Sequence, residues 1–260
     1  MRRPIIIMVT NQKGGVAKTT SAIELSHLFG AEGKVLCIDA DPQGDLTTYL
    51  DVRNPEHTIV DVLNVDVLLQ DAVVHVDNFD LLPGAIELSK ADKMYGDPAD
   101  VFILKEALAD CDYDYVFIDS APARSQVLYM EYVAADYIIG PAECDDGSIN
   151  GLLRIEKDLS VFRKHNQSQA RVLGTFIVKS EGTNMHRAAY EELKDLEEEI
   201  GGRRFETVIR KSVVAAETKT MRQPIQVYKR YNNVAMDYRK LKKEIEERIV
   251  EMEGEKNGTV

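Results

Sequence analysis

Eleven consecutive residues, Thr10-Asn11-Gln12-Lys13-Gly14-Gly15-Val16-Ala17-Lys18-Thr19-Thr20, have the composition of a phosphate-binding loop. Gly14 and Gly15 let a backbone curl closely around a phosphate. Lys18 supplies a mobile positive charge for terminal phosphates, and Thr19 a hydroxyl for Mg²⁺. The run follows an apolar strand-length segment, Ile5 to Val9, and opens a helical pattern. At such a junction free backbone N–H groups and the positive end of the helix dipole converge on one spot. The common pattern G-x-x-x-x-G-K-[ST] is not met, because Gln12 and Ala17 stand at its glycine positions. Alanine suits a first helical turn, so the loop tolerates Ala17 if no positive φ is needed there. The competing reading is a glycine-rich turn without a ligand.

Two acidic segments follow. Val35 to Ile38 leads into Asp39-Ala40-Asp41-Pro42-Gln43-Gly44, and Tyr115 to Ile118 leads into Asp119-Ser120-Ala121-Pro122. Carboxylates at the C-terminal ends of parallel strands face the ligand crevice. Two aspartates in a loop are by themselves turn formers. After a phosphate loop they become candidates for metal and water. An apolar strand ending in aspartate holds Mg²⁺ directly or through water.

These pieces require elements to position them. Further apolar runs, Tyr137-Ile138-Ile139 and Val172 to Val178, suit strands buried on both faces. Helical patterns cover Thr19 to Ala31, Val101 to Leu108, Gly151 to Phe162 and Met185 to Ile200. A last stripe from Asn232 to about Met252 places Val234, Tyr238, Leu241, Ile245 and Ile249 on one helix face. The alternation predicts an α/β fold: a mostly parallel twisted sheet with helices on both faces. At 260 residues, 44% hydrophobic and 29% charged, one domain over 1–254 is expected, with a frayed tail over 255–260.

Cys37, Cys111 and Cys144 are too few and too scattered for a disulfide framework or a cysteine metal site. No apolar run approaches the roughly 18 residues of a membrane span. A soluble protein of a reducing compartment is expected. The net charge of −12 is uneven: residues 201–243 hold twelve Lys/Arg against three acids, a local +9, which leaves −21 elsewhere. Such asymmetry marks either a surface for a polyanion or a solvated face.

The stretch K-G-G-V-A-K-T-T resembles the deviant Walker A motif, K-G-G-x-G-K-[ST], of the ParA/MinD family of P-loop ATPases, with Lys13 as the family's signature lysine. Asp39 to Gly44 is similar to the family's D-x-D-P-Q-G, and Asp119 with Pro122 to its D-x-x-P. Pro141-Ala142-Glu143 matches the segment after the next strand. Ile209-Arg210-Lys211-Ser212 with Ala216-Glu217 resembles I-P-R-N…A-E-A near the adenine, though without its proline. Gln223-Pro224-Ile225 and Ala235 to Leu241 resemble K-P-I and A-x-x-Y-R-x-L. The similarity is greatest to short, Soj-like partition ATPases.

The resemblance implies ATP and Mg²⁺. It implies nucleotide contacts from Lys13, Gly14, Gly15, Val16, Ala17, Lys18, Thr19, Thr20 and Arg210. Thr19, Asp39 and Asp119 are the implied metal residues, Asp39 through water. Lys13, Lys18 and Asp41 are the implied catalytic residues, with Asp41 positioning the attacking water and Lys13 reaching the nucleotide of a partner in an ATP-bound homodimer. Non-specific DNA is implied as a ligand through Lys179, Arg187, Lys211, Lys219 and Arg222, with Arg203 and Arg204 behind them. A ParB-like adaptor would stimulate hydrolysis, in a cytoplasmic, nucleoid-associated protein that segregates plasmid or chromosomal DNA. Because the chain starts at its first strand, no N-terminal helix-turn-helix domain is expected. A MinD-like membrane-associated ATPase is the alternative, but the acidic end (Glu251, Glu253, Glu255) is unsuited to anionic lipid. Nitrogenase-like reductases and dethiobiotin-synthase-like enzymes share the loop; the former need paired cysteines.

Overall fold

The computed structural model describes residues 3–257. Seven strands alternate with helices: β1 Ile5–Val9, β2 Val35–Asp39, β3 Val74–Val76, β4 Phe79–Leu82, β5 Tyr115–Asp119, β6 Tyr137–Ala142 and β7 Arg171–Ile177. The helices are α1 Lys18–Gly30, α2 Asp45–Tyr49, α3 Ile59–Leu63, α4 Leu69–Ala72, α5 Ala91–Met94, α6 Ile103–Ala107, α7 Gln126–Ala134, α8 Asp146–Lys164, α9 Asn184–Asp195, α10 Glu197–Ile200, α11 Val214–Met221, α12 Ile225–Tyr228 and α13 Asn233–Asn257.

The strands form one sheet in the order β3-β4-β2-β5-β1-β6-β7, parallel except for the edge pair β3-β4. Successive side chains on a strand point to opposite faces. Ile6 and Met8 therefore join Leu36, Ile38, Val116 and Ile118 in one core, beneath α3, α7 and α8. Ile7 and Val9 join Cys37, Phe117 and Ile139 in the other, beneath α1 and α13. Burial on both faces is why these strands read as unbroken apolar runs.

The register sets the site. Val9 pairs with Asp119, and Asp119 with Asp39, so β1, β5 and β2 end level. The phosphate loop and both acidic segments leave the sheet side by side. On the far side of β1, β6 and β7 deliver Glu143 and Lys179 to the same edge.

The parallel sheet covered on both faces is as predicted. Differences lie where the signal was weak. β3 and β4 are short, and β3 is a half-exposed edge that lacks the apolar signature. The predicted helix over 101–108 is a 3₁₀ turn, Asp100–Phe102, followed by α6. The helix over 185–200 divides into α9 and α10 at Leu196. Helix α13 runs on through Asn257, beyond the 254 boundary; 258–260 lie outside the described residues.

Candidate nucleotide site

Asn11 fixes the loop from below. It is fully buried. Its amide donates to the carbonyls of Pro141 (2.9 Å) and Ser148 (3.1 Å), and its Oδ1 accepts from the Lys13 N–H (3.0 Å). The loop is thereby tied to β6 and to the start of α8. A Cβ at Gly151 would lie 2.0 Å from Asn11 Oδ1, so the helix must be glycine where it crosses this amide. Sequence reading missed Asn11; a polar residue directly after a buried strand was the available signal.

Gly15 has φ +80, and a Cβ at Gly14 or Gly15 would meet nothing within 4 Å. The inner side of the turn is open, as a ligand cradle must be. Ala17 corrects an expectation. It is not in the first helical turn but is the N-cap of α1, with left-handed φ 59 and ψ 27. The family's glycine at this position has a conformational reason, and the alanine here bears its absence as strain, on the order of 1–2 kcal/mol.

Lys18 is 7% exposed and donates to the Lys13 carbonyl at 3.1 Å. Burial pulls its pKa down, against the opposing pull of Asp119, Asp41 and Glu131. Asp39 is fully buried; its Oδ2 accepts from the Thr47 N–H (2.8 Å) and hydroxyl (2.6 Å), and its Oδ1 has no partner. Burial pushes it up to about 6. Neither oxygen of Asp119 makes a well-formed hydrogen bond, the Thr19 hydroxyl approaching it only loosely. Burial, then the neighbouring Asp39, pushes Asp119 well above the carboxylate range, while Thr19 and Lys18 pull it back. Glu131 of α7 is likewise buried without partners and is raised by burial and by Asp119.

Such unpaired buried acids beside a phosphate cradle fit a bound cation. Among the described residues no three His, Cys, Asp or Glu side chains hold a metal alone. That suits Mg²⁺, which keeps waters and phosphate oxygens and takes one or two protein groups. Thr19, Asp39 and Asp119 are the groups available. Asp41 lies at the rim, its Oδ1 accepting from the Gln43 N–H at 2.9 Å.

A cavity of about 650 Å³ runs from Gly14, Lys18 and Thr20 to Ile209, Val234 and Tyr238. It has room for a nucleotide with its base at the apolar end. A larger hollow of about 730 Å³ opens at the opposite end of the sheet, lined by Lys34, Leu69, Phe79 and Tyr113. It contains no phosphate-binding loop.

Lys13 is not among the residues that line this cavity. Its ammonium pairs with Asp145 at 2.5 Å and lies 3.9 Å from Glu143. Arg210 lines the cavity and is held by Asp237 through two guanidinium hydrogen bonds, 2.6 and 2.8 Å. Of the basic residues expected at DNA, Lys179, Lys211 and Lys219 also line the cavity. Lys179 donates to the Gly15 carbonyl and to Glu143, both at 2.6 Å, and Lys211 pairs with Glu181. Arg222 caps the end of α11 and pairs with Asp51; Arg187 stands exposed on α9, on another element. Arg203 and Arg204 pair with Glu251 and Glu206.

A parallel sheet whose first strand feeds a glycine-rich, lysine-bearing loop into a helix, with acidic ends on two neighbouring strands, defines a P-loop nucleotide-binding protein. A family model described as "AAA domain" matches residues 5–172. The chain is 32% identical to the chromosome-partitioning ATPase Soj of Thermus thermophilus, over 94% of this chain and 96% of that one. The structure of an ATP complex of McdA from Cyanothece superposes with a TM-score of 0.83 at 24% identity, covering 94% and 97% of the two chains. Cobyrinic acid a,c-diamide synthase of Mycobacterium smegmatis, with bound ADP and magnesium, superposes at 0.76 with 27% identity, covering 92% and 93%. The chain belongs to the ParA/MinD family of P-loop ATPases.

Proposed function

We propose that this chain is a ParA-like partition ATPase. ATP joins two copies face to face, the dimer binds DNA without sequence preference, and a ParB-like adaptor stimulates a slow hydrolysis that releases it. The cargo is plasmid or chromosomal DNA, in a cytoplasmic, nucleoid-associated setting. The observation that carries this reading is the position of Lys13: a second loop lysine that stands outside the lining of its own cavity, its side chain 33% exposed and paired with Asp145 at the start of α8.

Each residue has a task that follows from its place. Lys18 is positioned by the Lys13 carbonyl to meet the terminal phosphates. Asp41, at the rim, orients a water for attack. Mg²⁺, when bound, offsets the triphosphate charge and orients it. Thr19, Asp39 and Asp119 would hold that ion, Asp39 through water and Asp119 directly or through water. Lys13 of a partner would stabilise charge developing at the transferred phosphate, as an arginine finger does.

DNA binding is supported by the local +9 of residues 201–243. Dimerisation doubles the phosphate contacts, so affinity rises steeply with it and falls with salt. The alternative, a MinD-like membrane ATPase, is disfavoured by the acidic end of α13. Among the described residues no helix is long and apolar enough to cross a membrane.

The test is the mass of the protein with Mg²⁺ and a nonhydrolysable ATP analogue, by light scattering. Wild type should double in mass, and Lys13→Ala should bind nucleotide but stay single. Equal dimer in both would remove Lys13 from the shared role. Dimer that sediments with anionic liposomes rather than with DNA would favour the membrane reading.

A further inference from the structure

Lys179 follows β7 and occupies left-handed backbone, φ 53. Both neighbours are pinned: Val178 N–H donates to the Ala142 carbonyl (2.8 Å) and Ser180 N–H to the Ile209 carbonyl (3.0 Å). A lysine in this conformation is strained, and strain of this kind persists where the surroundings enforce it, often at a ligand site. The ammonium bonds the Gly15 carbonyl and Glu143 Oε1, both at 2.6 Å. The side chain is 48% exposed, and ion pairs that exposed contribute too little to offset such a backbone.

The position of the ammonium is informative. Lys18 donates to the carbonyl of Lys13, and Lys179 donates to the carbonyl of Gly15, two residues along the same loop. Two ammonium groups from separate elements thus meet the first half of the phosphate loop. A lysine ammonium has three donors, and two of those on Lys179 are engaged. Lys179 lines the same cavity as Gly14, Gly15 and Lys18. Its partner Glu143 also stands 3.9 Å from Lys13, so the carboxylate that holds Lys179 lies between two lysines.

We infer that Lys179 is a ligand for the terminal phosphate of a nucleoside triphosphate bound in its own chain, and distinguishes triphosphate from diphosphate. The inference rests on the nucleotide-binding reading of the cavity. On binding, the ammonium keeps the Gly15 carbonyl and gives its other donors to phosphate oxygens. Lys179 is then a specificity residue of the phosphate loop and not a DNA contact.

The experiment compares wild type, Lys179→Gln and Lys179→Arg, titrated with Mg²⁺ plus a nonhydrolysable ATP analogue and, separately, with Mg²⁺ plus ADP. Protein is kept dilute enough to be monomeric by light scattering. Lys179→Gln should weaken the analogue about tenfold or more and ADP less than about threefold, with Lys179→Arg restoring most of the difference, as loss of one charge-assisted bond to the terminal phosphate requires. Equal weakening of both nucleotides would make Lys179 a brace of the loop and overturn the inference. So would unchanged nucleotide affinity with lost DNA binding. Wild type that binds neither nucleotide would overturn the underlying reading, and this one with it.

Discussion

The Asp145 carboxylate serves two partners at once: Oδ2 accepts from the Lys13 ammonium at 2.5 Å, and Oδ1 accepts from the Ser148 N–H at 2.9 Å, capping α8. Burial alone would raise this carboxyl, but the bonds from Lys13 and Ser148 outweigh it and hold it below the usual range. Lys13 is therefore parked on its own chain, and any reach toward a partner must first break this pair.

The two functions of Asp145 can be separated. Asparagine caps a helix about as well as aspartate, so Asp145→Asn keeps the α8 cap and removes the charge that holds Lys13. The pair is partly exposed and is worth at most about 1 kcal/mol. Asp145→Asn should therefore tighten the ATP-analogue dimer by up to about fivefold, read by analytical ultracentrifugation. A weaker dimer would show that Asp145 acts at the interface itself instead of restraining Lys13.

Asp41 sits at the cavity rim, outside the buried pair Asp39 and Asp119, and its bond to the Gln43 N–H is local. Its removal disturbs little of the loop. Asp41→Ala should bind ATP and dimerise, yet release phosphate at least about a hundredfold more slowly, the scale of a lost water-positioning group. Phosphate release at the wild-type rate would transfer the role elsewhere. Loss of nucleotide binding would mean that Asp41 is structural.

Ala17 offers a test of the loop's geometry. Its φ of 59 is one that glycine adopts without cost. Ala17→Gly should raise stability by roughly 1 kcal/mol, less the greater freedom of glycine in the unfolded chain. For a chain of this size that is about 2–4 °C in thermal midpoint, measured without nucleotide. A fall would mean that the alanine methyl packs well enough to outweigh its strain.

What the sequence disclosed follows from where physical signals are local. The loop, its lysines and the two acidic strand ends are contiguous, and the strands that carry them are buried on both faces, so their patterns are plain. The polar type of Asn11 after a buried strand was visible, but its role was not, because its partners, the carbonyls of Pro141 and Ser148, are 130 and 137 residues away. The left-handed turn at Ala17 was not legible because nothing in an alanine announces positive φ. The placement of Lys179 beside Gly15 needed the strand order, since β7 reaches the loop only across β6. The family resemblance placed Lys179, Lys211 and Lys219 at DNA; the fold sets them around the cavity.

Glu24 provides a prediction in pH. It lies fully buried on α1 and accepts from the N–H groups of Ile225 (2.5 Å) and Gln226 (3.2 Å), at the start of α12. It thus joins the phosphate-loop helix to the segment after Gln223-Pro224. Burial pushes its pKa up to about 7, although those N–H bonds pull the other way. A carboxyl raised in the folded state favours folding when protonated. That stability is complete below the ordinary glutamate pKa of about 4.3 and is lost as pH rises through about 7. Each tenfold difference in proton affinity between the folded and unfolded chain is worth about 1.4 kcal/mol, so the loss approaches about 3–4 kcal/mol by pH 8. Asp39, Asp119 and Glu131 are raised as well and steepen the same decline. Their contribution cancels in a comparison with Glu24→Gln, whose amide does not titrate. Urea unfolding without nucleotide at pH 5 and pH 8 should show the variant gaining on wild type by about 2–3 kcal/mol between the two. A constant difference across that range would mean that Glu24 stays ionised in the fold, held by the two N–H groups more strongly than burial opposes it.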